Sequence, residues 1–353
     1  MENVLETHLK IQREHIRSGS FSIAGGAILL ALVALGACAI GSIPISLTDI
    51  LSMLLQKIHV LQSAAAYPAG LYTIVFDIRL PRIIMAGLAG AALAVAGAAY
   101  QGMFRNPLAD PYLTGISQGA ALGAVVGFIL PRGIPMASIP LLSFCGAALC
   151  VLSVFYIART GKTLPMTTLI LAGIAIGAFL ASITSYLIIM SGDSAHTIIS
   201  WLLGNLAMSD WQSVINALPY ILVGITVIIL MARPLNVLQL DEEQAQQLGI
   251  NVEKVKLLVL AGATIATAAA VCFCGAIGFI GIIVPHAVRI VFGPNYRLLL
   301  PLSMLTGAIF LILADTAART LIAPTEIPVG IITALVGAPF FLYLLRQRKR
   351  AIF

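Results

Sequence analysis

The sequence is built from apolar runs, most of them long enough to cross a lipid bilayer. From the N-terminus they fall at about 22–40, 83–103, 114–130, 139–157, 168–190, 215–231, 255–274, 277–292, 298–314 and 329–345. A spanning helix needs roughly 20 apolar residues. A chain with ten such runs has no single water-excluded core to build, so the bilayer takes that place. Its residues are 60% hydrophobic and only 10% charged, whereas soluble domains carry about 25% charge. That balance excludes a soluble globular domain, a disordered chain and a disulfide-stapled secreted module. The expected fold is all-α: a polytopic membrane protein of ten transmembrane helices, with both termini on one side.

Basic residues assign the side. Of the 20 lysines and arginines, all but Lys57, Arg79, Arg82, Arg132 and Arg319 fall on the side that holds the termini. Lysine and arginine accumulate on the cytoplasmic face, so both termini are expected there. The domain reading is a cytoplasmic segment 1–21, a ten-helix membrane domain 22–347 with its long loop at about 233–254, and a tail 348–353. The first twenty residues are too polar and too mixed in charge for a secretory signal. Val4, Leu5, Leu9, Ile11 and Ile16 share one side of a short surface helix or belong to a frayed tail. The net charge of +6 forms no stripe with interleaved aromatics, which argues against nucleic acid as a partner.

Few groups are equipped for catalysis. There is no HExxH, no paired intramembrane aspartate and no GxSxG elbow. Gly161-Lys162-Thr163 resembles the end of a phosphate-cradling loop, but Tyr156 stands where that loop needs glycine. It reads as a plain cytoplasmic turn. Cys272 and Cys274 are two apart on a helix and point to nearly opposite faces, which argues against a metal pair. Intramembrane carboxylates, the mark of an ion path, are nearly absent. Asp315 comes closest, and Arg319 at i+4 is placed to pair with it.

Two regions stand out. Arg79-Leu80-Pro81-Arg82 and Arg319 lie on the outer side against the general bias. With Pro81 as a first helical residue, Arg79 and Arg82 oppose the helix dipole. They form a docking patch for acidic groups, or they snorkel to headgroups while Arg319 pairs privately with Asp315. The second region is Asp241-Glu242-Glu243-Gln244-Ala245-Gln246-Gln247-Leu248-Gly249. Acids in a first turn and a terminal glycine describe a short, separately capped helix. It is a contact for a soluble engine or a connector. There is also a faint internal repeat. Ala89-Gly90-Ala91 opens a small-residue helix ending at Asn106-Pro107. Ala261-Gly262-Ala263 opens another ending at Pro285-His286. Each precedes a short span, and paired interrupted spans point to a transport path.

These residues resemble one permease family. Arg79-Leu80-Pro81-Arg82, Gly90-Ala91-Ala92-Leu93-Ala94, Gln101, Asn106-Pro107-Leu108-Ala109-Asp110-Pro111 and Gly115-Ile116-Ser117 carry the first half. Gln247-Leu248-Gly249, Gly275-Ala276-Ile277-Gly278-Phe279-Ile280-Gly281, Val284-Pro285-His286, Ala314-Asp315, Glu326-Ile327-Pro328-Val329-Gly330 and Gly337-Ala338-Pro339-Phe340 carry the second. The family is that of the binding-protein-dependent ABC importers for iron-siderophores, haem and vitamin B12.

The resemblance implies a ten-helix permease in the inner membrane, working as a homodimer with two cytoplasmic ATPase subunits and one periplasmic or lipid-anchored substrate-binding protein. It implies no cofactor on this chain; ATP and Mg are used by the ATPase. It assigns docking to Arg79, Arg82 and Arg319, and cytoplasmic-side gates to Asn106 and Leu108 and to Thr167 and Thr168. ATPase coupling goes to Asp241, Glu242, Glu243, Gln244, Gln247, Leu248 and Gly249. Asp241 stands where several family members have glycine. The implied cargo is a bulky metal chelate, with iron chelates the commonest. The alternatives are another ligand such as molybdate, an ion-coupled carrier, and an intramembrane transferase, for which no polar cluster at one membrane face is found.

Overall fold

The computed structural model describes residues 2–41, 43–57, 67–130 and 138–352, with side chains left undescribed at 2–18, 69, 343–345 and 347–352. Arg132 and the side-chain faces of Val4, Leu5, Leu9, Ile11 and Ile16 therefore lie outside the described residues. Every regular element among them is helical: α1 Glu2–Ala39, α2 Leu47–Lys57, α3 Ala69–Tyr72, α4 Leu80–Met103, α5 Ile116–Ile129, α6 Ser138–Ala158, α7 Met166–Met190 and α8 Ala195–Leu202. The second half adds α9 Trp211–Leu230, α10 Ala232–Leu238, α11 Glu242–Gln247, α12 Val252–Cys274, α13 Ile280–Phe292, α14 Tyr296–Ala318 and α15 Val329–Ile352.

Among the described residues, seven segments are long and apolar enough to cross a membrane, and three shorter apolar helices lie at Ile116–Ile129, Ile280–Phe292 and Val329–Leu342. Each coincides with one expected run. The chain is thus an all-helical polytopic membrane protein. No break separates the polar N-terminal residues from the first span; α1 is one helix.

Burial sorts the helices into a centre and a periphery. In the spanning window containing α4, 83% of residues are buried, against 11% for α1 and 22% for α7. α4 reads LPRIIMAGLAGAALAVAGAAYQGM. It is apolar all round, as a helix surrounded by others must be, and small, so that neighbouring backbones can close on it. At Gly90 a β-carbon would collide with the Gly307 carbonyl of α14, and at Gly97 with the Gly281 carbonyl of α13. The peripheral helices turn large apolar residues outward, among them Leu32, Leu152, Phe179 and Val223. In water such a surface would aggregate; against lipid chains it is solvated.

Two departures from regular α-helix matter for function. First, Pro81 does not open a helix. A π-helical stretch, Thr73–Arg79, joins α3 to α4 without interruption. Pro81 has no N–H to give the turn before it. Wider π turns absorb the mismatch, and the Leu80 N–H reaches back to the Val75 carbonyl. Arg79 and Arg82 therefore sit inside a continuous helical segment, and the helix-dipole penalty expected for them does not arise.

Second, α12 ends at Cys274, not at Pro285-His286, which lie within α13. The connection 275–279 passes through Gly275 at φ +73° and Phe279 at φ +68°. Its buried backbone is satisfied from elsewhere. The Tyr112 hydroxyl donates to the Ile277 carbonyl at 3.0 Å and accepts from the Ile277 N–H at 3.1 Å. Gln101 Nε2 donates to the Gly281 carbonyl at 3.1 Å. The turn after α8 donates from Asn205 N to the Cys274 carbonyl at 2.9 Å and accepts Val329 N at Gly204 O, also at 2.9 Å.

Candidate functional site

α4 has 24 residues, about 36 Å at 1.5 Å per residue. Arg79 and Arg82 stand at one end and Arg105 beyond the other, so the candidate residues divide between two ends of the bundle.

At the first end, the three outer arginines are all buried, with Arg79 5%, Arg82 7% and Arg319 6% exposed. Asp315 does not pair with Arg319. It takes a forked contact from Arg82, with Nε at 2.9 Å from Oδ2 and Nη2 at 2.8 Å from Oδ1. Arg82 Nη1 also holds Glu326, at 2.9 Å. Arg79 Nη1 donates to the Cys38 carbonyl at 2.6 Å and the Ala39 carbonyl at 3.3 Å, and Arg319 donates to the Ala37 carbonyl and the Thr316 hydroxyl. The last carbonyls of α1 have no intrahelical donors and carry the negative end of its dipole, so two guanidiniums cap one helix C-terminus. Arg319 Nε keeps no acceptor among the described residues. A cavity of about 60 Å³ opens beside Arg82, Asp315 and Glu326.

The second end gathers the turn after α4, the loop 159–165, α10, α11 and the starts of α12 and α14. Gly161-Lys162 is a tight turn, closed by paired bonds between Thr160 and Thr163. α11 is a short separate helix, stopped at Gly249 with φ +82°. Ala245 faces inward, while Glu243, Gln244, Gln247, Leu248 and Gly249 face solvent. Leu248 is 64% exposed. Asp241 precedes α11 without capping it; its carboxylate instead meets Arg105 at 2.7 Å. Glu242 meets Lys256 at 2.8 Å. α10 is tied separately, through Asn236, which accepts from the Tyr296 N–H at 2.8 Å.

The candidate gates lie on two segments that touch. Asn106, exposed, accepts the Leu108 N–H at 3.0 Å, which fixes a turn with Leu108 half-buried. Thr167 and Thr168 occupy the first turn of α7, Thr167 exposed and Thr168 half-buried. Farther along, Gly173 of α7 packs against the Leu113 carbonyl, so α7 lies against the segment that continues from Leu108.

Several residues here escaped sequence reasoning. Lys256 counted only as one cytoplasmic cation, yet it is 3% exposed and contacts two glutamates. The i,i+3 spacing of Glu253 and Lys256 was the available signal. Tyr112 carried none.

The chain is an all-helical membrane bundle with a polar helical unit lashed to one end. Residues 28–347 match the FecCD transport family, and the chain belongs to that family. It is 50% identical over 282 residues to the cobalamin import system permease protein of Halobacterium salinarum, covering 80% of this chain and 76% of that one. It is 41% identical over 333 residues to the hemin transport system permease protein of Yersinia pestis, covering 92% and 95%. It also superposes on a structure described as an inward-facing conformation of a metal-chelate type ABC transporter, with TM-score 0.80, 29% identity and coverage of 92% and 98%.

Proposed function

We propose that this protein is the permease subunit of an ATP-binding-cassette importer that receives a bulky metal chelate from an external binding protein and releases it into the cytoplasm. The observation that carries the reading is the family match along 28–347, which runs through both ends of the bundle. The seven long and three short apolar helices serve as ten spans. The end bearing Arg105, Arg159, Lys162, Lys254, Lys256, Arg289 and Arg297 faces the cytoplasm, with both termini. The membrane domain is 22–347, flanked by cytoplasmic 1–21 and 348–353.

Two copies assemble about a two-fold axis with two ATPase subunits and one binding protein. This chain binds no cofactor, and ATP with Mg acts on the ATPase. α11 and its flanks, Asp241 to Gly249, meet the ATPase; the outward Leu248, an apolar side chain on an otherwise polar exposed face, supports that contact. Asn106, Leu108, Thr167 and Thr168 gate the pathway. Docking falls to Arg79, Arg82 and Arg319. The spare Nε of Arg319 and the cavity beside Arg82 support it, and the burial of all three means that an incoming carboxylate competes with Glu326 and the α1 carbonyls.

The test is reconstitution in vesicles with the ATPase and binding protein, offering cobalamin, hemin and ferric citrate as probes. ATP-dependent accumulation of one of them is expected, and none by the permease alone. Accumulation by the unaided chain overturns the reading.

A further inference from the structure

Two adjacent acids before and within α11 lead to the two candidate gate segments. Asp241 meets Arg105, the residue next to Asn106, at 2.7 Å. Glu242 meets Lys256 at 2.8 Å. The same Nζ reaches Glu253 at 3.1 Å and the Leu164 carbonyl at 3.4 Å. Glu253 in turn accepts the Leu164 N–H at 2.8 Å. Both backbone groups of Leu164 are thus held, one by each member of the Glu253–Lys256 pair. Leu164 is itself 4% exposed. Pro165 follows, and then α7 begins with Thr167 and Thr168 in its first turn.

The two arms differ in strength. The Arg105–Asp241 side chains are 43% and 73% exposed, and an ion pair in that setting is weak, salt-screened and easily broken. The Lys256 side chain is 4% exposed, and its ammonium has no water to fall back on. Removing a partner from a charge so buried is costly, so under load this arm holds while the other yields. Glu242, Glu253 and Lys256 leave one surplus negative charge, and the glutamates are half-exposed at 36% and 31%. The surplus faces water rather than the core.

We propose that Lys256 is a positioning residue. With Glu253 it forms a clamp that transmits displacement of α11 through Leu164 to the N-terminus of α7. The clamp makes α11, the start of α12 and the loop 159–165 move together. The inference rests on the reading of α11 as the ATPase contact. Lys256 touches neither cargo nor ATP; it acts through Leu164.

The experiment uses the full chain with its ATPase subunit in nanodiscs and Mg-ATP as the only probe. Spin labels are placed at Lys162→Cys, in the loop, and Arg297→Cys, at the far side of the same end. The exposed Cys145 is replaced by Ser, and labelled chain is diluted with unlabelled. Mg-ATP is expected to shift the label distance in the parent. Lys256→Met, which keeps the buried methylenes and loses the charge, is expected to retain the ATPase and lose the shift; Lys256→Arg restores it. Glu253→Gln, altering a half-exposed side chain, is read in the same way if Lys256→Met does not assemble.

A full shift in Lys256→Met or Glu253→Gln overturns the inference, as does a parent whose loop does not move. The underlying reading fails separately, if Leu248→Asp leaves the ATPase bound and hydrolysing at the parent rate.

Discussion

Arg82 and Asp315 stand 233 residues apart in sequence and share a forked, buried ion pair between α4 and α14. The side chains are 9% and 2% exposed, so the Asp315 charge depends on Arg82, which itself also holds Glu326. Breaking such a pair from one side costs about 3–5 kcal/mol, while replacing both partners with apolar groups of similar volume is often near neutral. Asp315→Asn and Arg82→Met are each expected to lower the thermal midpoint in detergent sharply. The double variant Arg82→Met with Asp315→Leu should melt above either single one. A double variant less stable than both would show that the pair is not the source of the loss.

Arg79 and Arg319 cap α1, and the consequence is local. A hydrogen bond from a charged donor contributes about 1.5–3 kcal/mol. Arg319→Ala frees the Ala37 carbonyl, and Arg79→Ala frees that of Cys38, while the Ala39 carbonyl still accepts the Ile45 N–H at 3.2 Å. Cys38 is 4% exposed and packs at this joint. Either substitution is expected to raise the rate of maleimide modification at Cys38, with little change at buried Cys274. An unchanged Cys38 rate would leave the arginines without a capping role.

Arg105 supplies the contrast. Its pair with Asp241 is short, 2.7 Å, but open to solvent. Exposed pairs contribute about 0–1 kcal/mol. Arg105→Ala is expected to shift the midpoint negligibly, and less still in high salt. A loss comparable to that of Asp315→Asn would mean that distance, not burial, sets the strength of these contacts.

The span positions were legible because an apolar run of bilayer length admits few readings. The arginine partners were not. Local spacing offers Asp315 only Arg319, one turn away, whereas α14 turns Asp315 toward α4 and Arg319 toward α1. Pro81 was equally ambiguous, since proline suits a first helical turn and also the exit from a π stretch. α11 was readable from its acids and Gly249, because caps are local. Lys256 was not, because its burial depends on how the loop 159–165 folds over α12.

Close helix contacts give a further expectation. Gly97 faces the backbone of Gly281, while Gly25 has nothing within 4 Å of the place a β-carbon would take. Overpacking a tight contact costs about 1–3 kcal/mol. Gly97→Ala is expected to destabilise by that order in thermal unfolding, and Gly25→Ala not at all. Equal behaviour of the two would remove the case for close approach between α4 and α13.

Tyr112 tests the break between α12 and α13. Its hydroxyl serves as donor to the Ile277 carbonyl and acceptor for the Ile277 N–H, and Ile277 is 1% exposed. Tyr112→Phe keeps the ring and removes the oxygen, leaving two backbone groups without a partner. An unsatisfied buried polar group costs about 1–3 kcal/mol, and two from one residue reach the upper part of that range or beyond. The effect should concentrate at 275–279, because Gln101 and Asn205 still hold the flanking Gly281 and Cys274 carbonyls. Hydrogen exchange in the Tyr112→Phe protein is therefore expected to quicken at Ile277 while α12 and α13 keep their protection. Uniform loss of protection across both helices would mean that the hydroxyl supports the whole bundle and not the joint.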